Sequence, residues 1–597
     1  MFHSLLQSRV QAAVRAVLPE ADLALVQVRA AGEAKFGDYQ CSALMAIAKS
    51  RRMNPRQLAT DVVKQLDVSE WCEPVEIAGP GFLNFRLMPT AIAGALKGAV
   101  TGQHLFFAKA AQPRTVVIDF SSPNVAKPMH IGHIRSTVLG ACLVKILRLL
   151  GHHVVSDNHI GDWGTQFGML IAVWKILDYG SVGLFSSISI SDLERLYRNA
   201  SEQYKEDPAF KLRAQMELVK LQNGDPENLG IWKEMIEISK VHFESIYQRL
   251  GVTFDHTLGE SFYNPWLKQV VSDLVEKGIA RESEGAIAVF SDGVFTSPES
   301  KPAPKDDPFL IQKDGEWVAN PVLIQKKDGA ANYATTDLAT LDYRCRTWSP
   351  HEIIYVTDGR QQLHFRQVFA TFQTWQPETA KSLKLTHAWF GAILGDDGKP
   401  YKTRSGETVK LADVLDEAVD RAYKVVAEKR AELPEAELRE IARIVGMGAV
   451  RYQDMLPNRQ SDYVFSWDKM LALQGNTAPY VQYQFTRAAK VVREAGVPRE
   501  TWTTADVALA DPAELALARH LLNFGITLEA VGEECRPNYL CNYLYELAGL
   551  FSRFYENCPV LKAEASVRNS RLILCEIVAQ VLQLGLDCLG IEVSEKM

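Results

Sequence analysis

The hydrophobic period changes several times along the chain. From residue 1 to about 112, helical spacing alternates with a short β-like stretch, VEIAGPGFLNFRL, and closes in the polar run AKAAQPR. The N-terminal MFHSLLQSRVQAAVRAVLPEADLALV is amphipathic and soon acidic, so a surface helix is expected rather than a signal peptide. Thr115, Val116, Val117 and Ile118 form a short apolar run that predicts a buried strand. A loop with glycine and proline follows. Val138, Leu139, Cys142, Leu143, Ile146, Leu147 and Leu150 then recur at helical spacing, with Gly151 expected as the C-cap. Val154 and Val155 begin the next strand. Strand, loop, helix and strand make the βαβ unit of a parallel sheet.

Charged helical sequence from about 185 to 310, ending in the strand-like GAIAVFSDGVF, reads as an insertion. Ile353, Ile354, Tyr355 and Val356 resume the buried sheet. A glycine- and lysine-rich loop, GDDGKPYKTRSGE, occupies 395–407, and nearly everything from 411 onward is helical. The fold class is therefore α/β with a helical bundle at the C-terminal end.

Composition narrows the field. A chain of 597 residues, 47% hydrophobic and 23% charged, has material for several cores and is not a disordered chain. The net charge of −7 excludes a globally basic nucleic-acid coat, though not a local basic surface. Nine scattered cysteines contain no CxxC pair, which leaves a structural zinc site and a thioredoxin motif unsupported and reads as reduced and intracellular. No run of about 18 apolar residues exists, so no membrane span is expected.

The chemistry concentrates in SSPNVAKPMHIGH, residues 121–133. Pro123 and Pro128 keep the segment after the first strand out of a helix. His130, Ile131, Gly132 and His133 fall where the helix starts. Gly132 would let a ligand approach the backbone, and the helix N-terminus would attract phosphate. Two histidines three apart share one helical face and can donate to one phosphate chain. A fixed four-residue string arises by chance at roughly one in a thousand over such a length.

A HIGH string at a strand-to-helix turn resembles the class I aminoacyl-tRNA synthetases. DFSSPNVAKPMHIGHIRST, KFGDYQCSALMAIAK, AGPGFLNFRL, YATTDLATLDYR, VTDGRQQLHFRQVF, GKPYKTRSGETVKLADVLDEA and GNTAPYVQYQFTRAA resemble the arginyl-tRNA synthetase family, in order and over nearly the whole chain. That resemblance implies a Rossmann-type catalytic domain at 113–410 with an insertion at about 185–310. It implies an appended α/β domain at 1–112 that reaches the tRNA elbow, and a helical anticodon-binding domain at 411–597.

It also implies arginine, ATP and the arginine tRNA as partners, with magnesium accompanying ATP. No tightly bound metal or organic cofactor is expected. The implied setting is a cytoplasmic, membrane-free monomer.

In such an enzyme the arginine carboxylate attacks the α-phosphate of ATP, and the terminal ribose 2′-OH of tRNA then takes the aminoacyl group. The first step needs alignment and charge neutralisation rather than proton transfer. The resemblance makes His130 and His133 phosphate donors, with Gly132 and Lys127 at the same ATP site. The family's Lys-Met-Ser-Lys-Ser loop is altered here to Pro400-Tyr401-Lys402-Thr403-Arg404. Thr403 replaces the second lysine, and Lys127, helped by Lys402 or Arg404, is expected to supply that charge.

A guanidinium needs carboxylate and neutral acceptors. Tyr333 and Asp337 share a face if YATTD is helical, and the resemblance assigns them the arginine side chain. It assigns Ser122, Pro123, Asn124, Gln361 and His133 to the amino-acid end, and places Asp119 in the same pocket. For tRNA it implies Tyr480, Tyr483, Arg487 and the terminal Met597 near the anticodon, and Phe36, Tyr39 and Gln40 in the N-terminal domain. Two alternatives compete: a small-molecule nucleotidyltransferase that shares HIGH, and an inactive RNA-binding paralogue. The helical C-terminal region and YATTD oppose the first; intact His130, His133, Asn124 and Asp337 oppose the second.

Overall fold

A computed structural model describes residues 1–177, 188–401 and 408–596. It divides into two compact units. The unit that carries the predicted chemistry comprises Ala111–Ala418 and Pro457–Ser466. Its centre is a four-stranded, all-parallel sheet. The first strand, β1 (Thr115–Asp119), feeds helix α1 (Gly132–Leu149), which returns to β2 (His153–Asp157). Further along the chain, after three intervening helices, comes a long helix of the insertion, α2 (Pro226–Leu250). Helix α3 (Tyr333–Trp348) leads to β3 (Glu352–Tyr355), and α4 (Gln362–Trp375) leads to β4 (Lys384–His387).

The spatial order is β4-β3-β1-β2. The βαβ unit read from the sequence is present. The cap differs slightly: Leu150 closes α1, and Gly151 takes φ +86° one residue later, a conformation that favours glycine. Strand β4 escapes the sequence reading because it lies at the sheet edge, with no fully buried residue to make an apolar run. Apolar faces of α3 and α4 close over the sheet, where Leu338, Phe365, Val368 and Phe372 pack with Val117, Ile353 and Tyr355.

Among the described residues the insertion opens with the helices Ile190–Glu206, Pro208–Gln222 and α2, and a further helix, Asn264–Glu276, comes after them. Asp225 caps α2 by accepting from the Asn228 N–H, Pro226 starts it, and left-handed Gly251 ends it. A three-stranded antiparallel sheet follows, built from Ala280–Ser283, Ala286–Val289 and Val322–Gln325. In GAIAVFSDGVF only the first part is strand; Ser291–Val294 turns into a helical turn. The antiparallel sheet also takes in sequence beyond 310, the expected end of the insertion.

The second unit is formed from both ends of the chain, Met1–Ala110 with Val419–Leu456 and everything from Trp467. Its N-terminal part is a four-stranded antiparallel sheet with helices. VEIAGPGFLNFRL supplies the hairpin Glu76–Ala78 and Phe82–Phe85. The rest is helical, dominated by α5 (Ala478–Arg493), α6 (Asn538–Asn557) and α7 (Ala565–Cys588). The two ends join through ion pairs such as His3–Glu529 at 2.8 Å and Arg519–Asp38 at 3.1 Å. No cysteine among the described residues forms a disulfide. Among the described residues no helix is long and apolar enough to cross a membrane.

Candidate active site

The strand order reverses between β1 and β3, where Asp119 stands beside Tyr355. In an open parallel sheet the crevice beyond the carboxyl ends at such a switch point is where ligands bind. Two loops leave there: Phe120–Ile131 after β1, and Val356–Gln361 after β3. The first is SSPNVAKPMHI, the segment singled out by sequence.

Three of its residues are not glycine yet take positive φ: Ser121 at 73°, Ser122 at 47° and Ala126 at 63°. Such strain costs ~1–3 kcal/mol each and persists only where surroundings enforce it. Here the N–H of Ser121 donates to Ser136 Oγ at 2.8 Å, and that of Ser122 to Asn158 Oδ1 at 3.0 Å. The backbone beside Asn124 bridges Gly161 in the loop after β2, and a side chain at Gly161 would collide with Asn124 Oδ1. Pro123 is buried and Asn124 exposed.

The two histidines meet with ring centroids 3.9 Å apart. They do not share a helical face, because α1 starts at Gly132 and His130 precedes it. What joins them is the N–H of His130 donating to His133 Nδ1 at 3.0 Å, while Gly132 N–H donates to His130 Nδ1 at 3.1 Å. The Ile131 N–H donates to Val409 O and that of His133 to His130 O, both at 2.9 Å. The first amides of α1 are thus occupied by protein acceptors, and the expected bare helix N-terminus for phosphate is absent. Gly132 has a reason within the protein itself: a Cβ there would come within 3 Å of the His130 ring. With each Nδ1 accepting, a neutral ring carries its proton on Nε2, which is the donor left for a ligand. Burial, with His130 alongside, drives His133 down to about 3. Desolvation, then the charges of Arg360 and Lys127, hold His130 below its ordinary value.

On the amino-acid side, YATTD is the first turn of α3, so Tyr333 and Asp337 share a face as the spacing predicted. Arg344, two turns further along that stripe, is buried and donates at 2.7 Å to both Asp119 and Asp157 at the ends of β1 and β2. That pair fixes α3 against the sheet. It also changes the reading of Asp119, whose carboxylate is taken by Arg344 and by Ser122 Oγ at 3.0 Å; it braces the pocket rather than lining it. Asp337 pairs with His364 Nε2 at 2.5 Å, and the His364 ring lies 4.7 Å from that of the exposed Tyr333. The second ring nitrogen of His364 is buried without a hydrogen-bond partner. Gln361 ends a helical turn three residues earlier and is exposed.

Glu260, absent from the sequence reading, joins this group. Burial, reinforced by the carboxylates of Asp337 and Asp162 and partly offset by His159, pushes it up to about 7. No sequence motif marks Glu260, and His364 was visible only as one more polar residue of RQQLH.

Cations flank the histidines. Lys127 Nζ lies 4.3 Å over the Tyr197 ring, so the structure rests this lysine on an aromatic face from which its charge still reaches His130. Arg360, overlooked in the sequence, is 90% exposed, bonded twice to Asp358, and acts more strongly on His130. Lys402 and Arg404 lie outside the described residues. The segment just after them is tied to HIGH: Leu411 N–H donates to Met129 O at 2.9 Å, and Lys410 bridges His130. Among the described residues no group of three or more His, Cys, Asp or Glu could hold a metal ion.

In the other unit, Tyr480 and Tyr483 lie on α5, half-buried and 45% exposed respectively. Two aromatics of α6 join them: Tyr545, 5.7 Å from Tyr480, and Tyr555. Arg487 is sandwiched at 4.9 Å from the Tyr483 ring and 5.0 Å from that of Tyr555. In the N-terminal part, Phe36 ends a short helical turn and is half-buried, and Gln40, on the strand Tyr39–Cys41, donates to Asn84 at 2.8 Å. Tyr39, at 1% exposure, is core and not an RNA contact. Met597 lies outside the described residues.

The HIGH segment at the switch point of a parallel sheet is shared with small-molecule nucleotidyltransferases, and the family match identifies this unit as a class I aminoacyl-tRNA synthetase catalytic domain. The family model for the class I (R) tRNA synthetase catalytic domain matches residues 96–467. The DALR anticodon-binding domain matches 481–597, and the arginyl-tRNA synthetase N-terminal domain 4–87. An arginine–tRNA ligase of Citrobacter koseri is 47% identical, covering 96% of each chain. One of Klebsiella pneumoniae is 46% identical over 100% of this chain and 99% of its own. Among solved structures, Plasmodium falciparum arginyl-tRNA synthetase superposes with a TM-score of 0.80 at 27% identity, over 100% of this chain and 99% of that one. The Thermus thermophilus arginyl-tRNA synthetase shares the fold at 0.81 and 24% identity, over 100% of both chains. The chain belongs to the arginyl-tRNA synthetase family.

Proposed function

We propose that this chain activates L-arginine with ATP and esterifies it to the arginine tRNA, as an arginine–tRNA ligase. The observation that carries the reading is the placement of two recognition chemistries around one switch point. His130 and His133 each have Nδ1 taken up by a backbone N–H, which leaves Nε2–H as the donor of each ring after β1, while Tyr333 and Asp337 lie on the first turn of α3 and Glu260 is near enough for Asp337 to raise its pKa.

The arginine carboxylate attacks the α-phosphorus, the bond to the β-phosphate oxygen breaks, and pyrophosphate leaves. His130 and His133 stabilise charge on the phosphate oxygens as neutral donors and remove no proton. Lys127, Arg360 and, from the altered loop, Lys402 or Arg404 neutralise the pyrophosphate end. Asp337, held by His364, pairs with the guanidinium, and the Tyr333 hydroxyl and Glu260 accept further N–H groups. Ser122, Asn124 and Gln361 orient the amino and carboxylate ends, with Pro123 shaping the loop. The tRNA 2′-OH then attacks the carbonyl carbon and AMP departs.

Imidazoles and ammonium groups are ligands for phosphate, not for a hard cation, so magnesium would be held by ATP itself. Tyr480, Tyr483 and Arg487, extended by Tyr545 and Tyr555, offer a stacking platform for anticodon bases. Met597 adds to that end, and Phe36 and Gln40 serve the tRNA elbow. We place the protein in the cytoplasm, a compartment that mostly buried cysteines outside any disulfide suit, as a monomer of three domains, 1–112, 113–410 and 411–597. ATP–pyrophosphate exchange with each amino acid, with and without tRNA, tests the reading. Stimulation by arginine supports it, and stimulation by another amino acid alone refutes it.

A further inference from the structure

Ser136, Asn158 and Gly161 hold the start of the strained loop after β1. Further contacts, reaching as far as Met129, come from α2, a helix of the insertion. Ser239, which is fully buried, accepts from the N–H of Ala126 at 2.9 Å, at the loop's third positive-φ residue. His242 Nε2 accepts from the N–H of Met129 at 3.2 Å, one residue before His130. Tyr247 OH bonds Ser121 Oγ at 2.9 Å and receives Asn158 Nδ2 at 3.0 Å. Trp232, on the same face, donates to Asp162 O in the loop after β2 at 2.9 Å. One face of one helix therefore grips both loops that frame the crevice.

We propose that α2 is the mould of the ATP loop, and that Ser239 and His242 are positioning residues for adenylate formation; this rests on the reading that His130 and His133 meet the phosphates. The Met129 amide sits next to His130, so losing its acceptor lets the HIGH backbone shift relative to the phosphates. A displacement of about 1 Å is enough to cost about a hundredfold where alignment is the main contribution. His242 must stay neutral to accept. Burial and the nearby Lys410 favour that form, while Lys410 is itself engaged by Glu194 at 3.3 Å.

The test compares His242→Phe, which keeps ring bulk without the acceptor, with His242→Gln, whose side-chain oxygen can replace it. Arginine- and tRNA-dependent ATP–pyrophosphate exchange by the full chain is the readout. His242→Phe should lower kcat by at least about tenfold, with the KM values for arginine and ATP within about threefold, and His242→Gln should restore kcat to within about threefold. A His242→Phe enzyme with wild-type kcat, or a His242→Gln enzyme as slow as it, overturns the proposal. Should His242→Phe fail to fold, Ser239→Ala must show the same loss in kcat alone, and a wild-type kcat there overturns the proposal equally. Absence of arginine-dependent exchange in the unsubstituted protein would instead refute the underlying function.

Discussion

The backbone N–H of His130 donates to Nδ1 of His133 across 3.0 Å, and this bond fixes which imidazole nitrogen faces the ligand. With Nδ1 occupied, the proton of neutral His133 resides on Nε2. Replacing His133 with alanine removes one preorganised donor. The expected cost is about 10²–10³-fold in the rate of adenylate formation, with ATP KM little changed. Pre-steady-state measurement of arginyl-adenylate checks this.

The pH response follows from the same bonds. Both histidines are held below the ordinary value, His133 at about 3, so both are neutral at pH 7. Protonation would place a hydrogen on Nδ1 against a donor N–H. The folded form therefore resists protons that the unfolded chain binds, and stability from these residues falls as pH drops below the usual histidine range, not above it. NMR of His133 should show the Nε2–H tautomer unchanged at pH 6; a protonated ring there would contradict the assignment.

Arg360 and Lys127 both press on His130, Arg360 more strongly. Removing either as alanine should raise the His130 titration midpoint, and Arg360→Ala should raise it further. Both changes should slow ATP–pyrophosphate exchange by at least about tenfold while sparing arginine binding. An Arg360→Ala enzyme with an unchanged His130 titration would remove Arg360 from the site.

Arginine recognition should depend on pH through Glu260. Its pKa of about 7 leaves it partly protonated at neutrality, and its negative form favours a guanidinium. Arginine KM should therefore fall as pH rises from 6 to 8, by up to about tenfold, and Glu260→Gln should flatten the profile. Asp337→Asn should raise arginine KM across the whole range while leaving the KM for ATP unchanged.

Arg344 predicts a stability effect rather than a kinetic one. Arg344→Leu would strand Asp119 and Asp157 in the interior without their cation, at about 3–5 kcal/mol. Denaturant unfolding should show that loss, which would be far larger than for any exposed ion pair.

The sequence made the sheet and the HIGH segment legible because both are local: β1, β2 and β3 are apolar runs, and the motif is contiguous. That Tyr333 and Asp337 share a face is legible from their spacing on one helix, whereas their assignment to arginine comes from the family resemblance alone. What stayed hidden is what the fold assembles from a distance. Glu260, His364, Arg360 and the grip of Ser239 and His242 come from separate segments, and nothing in their spacing links them. The resemblance puts Asp119 in the arginine pocket, but no motif shows its partner Arg344, 225 positions away in the chain. The helix N-terminus was misjudged because its amides are filled by side chains and by Val409, contacts that no periodicity encodes.

The tRNA platform makes a further prediction. Tyr483→Ala and Tyr555→Ala should each raise tRNA KM by about 5–150-fold, the equivalent of ~1–3 kcal/mol per stacked base, without changing arginine or ATP KM. Equal effects on all three substrates would point to lost folding of α5 and α6 instead.

The central claim is tested most directly by charging. The purified protein, ATP–magnesium and total tRNA are incubated with each labelled amino acid in turn, and label esterified to tRNA is counted. The account predicts that arginine alone is attached, and only to arginine-accepting tRNA. Charging with a different amino acid, or none with arginine, would contradict it.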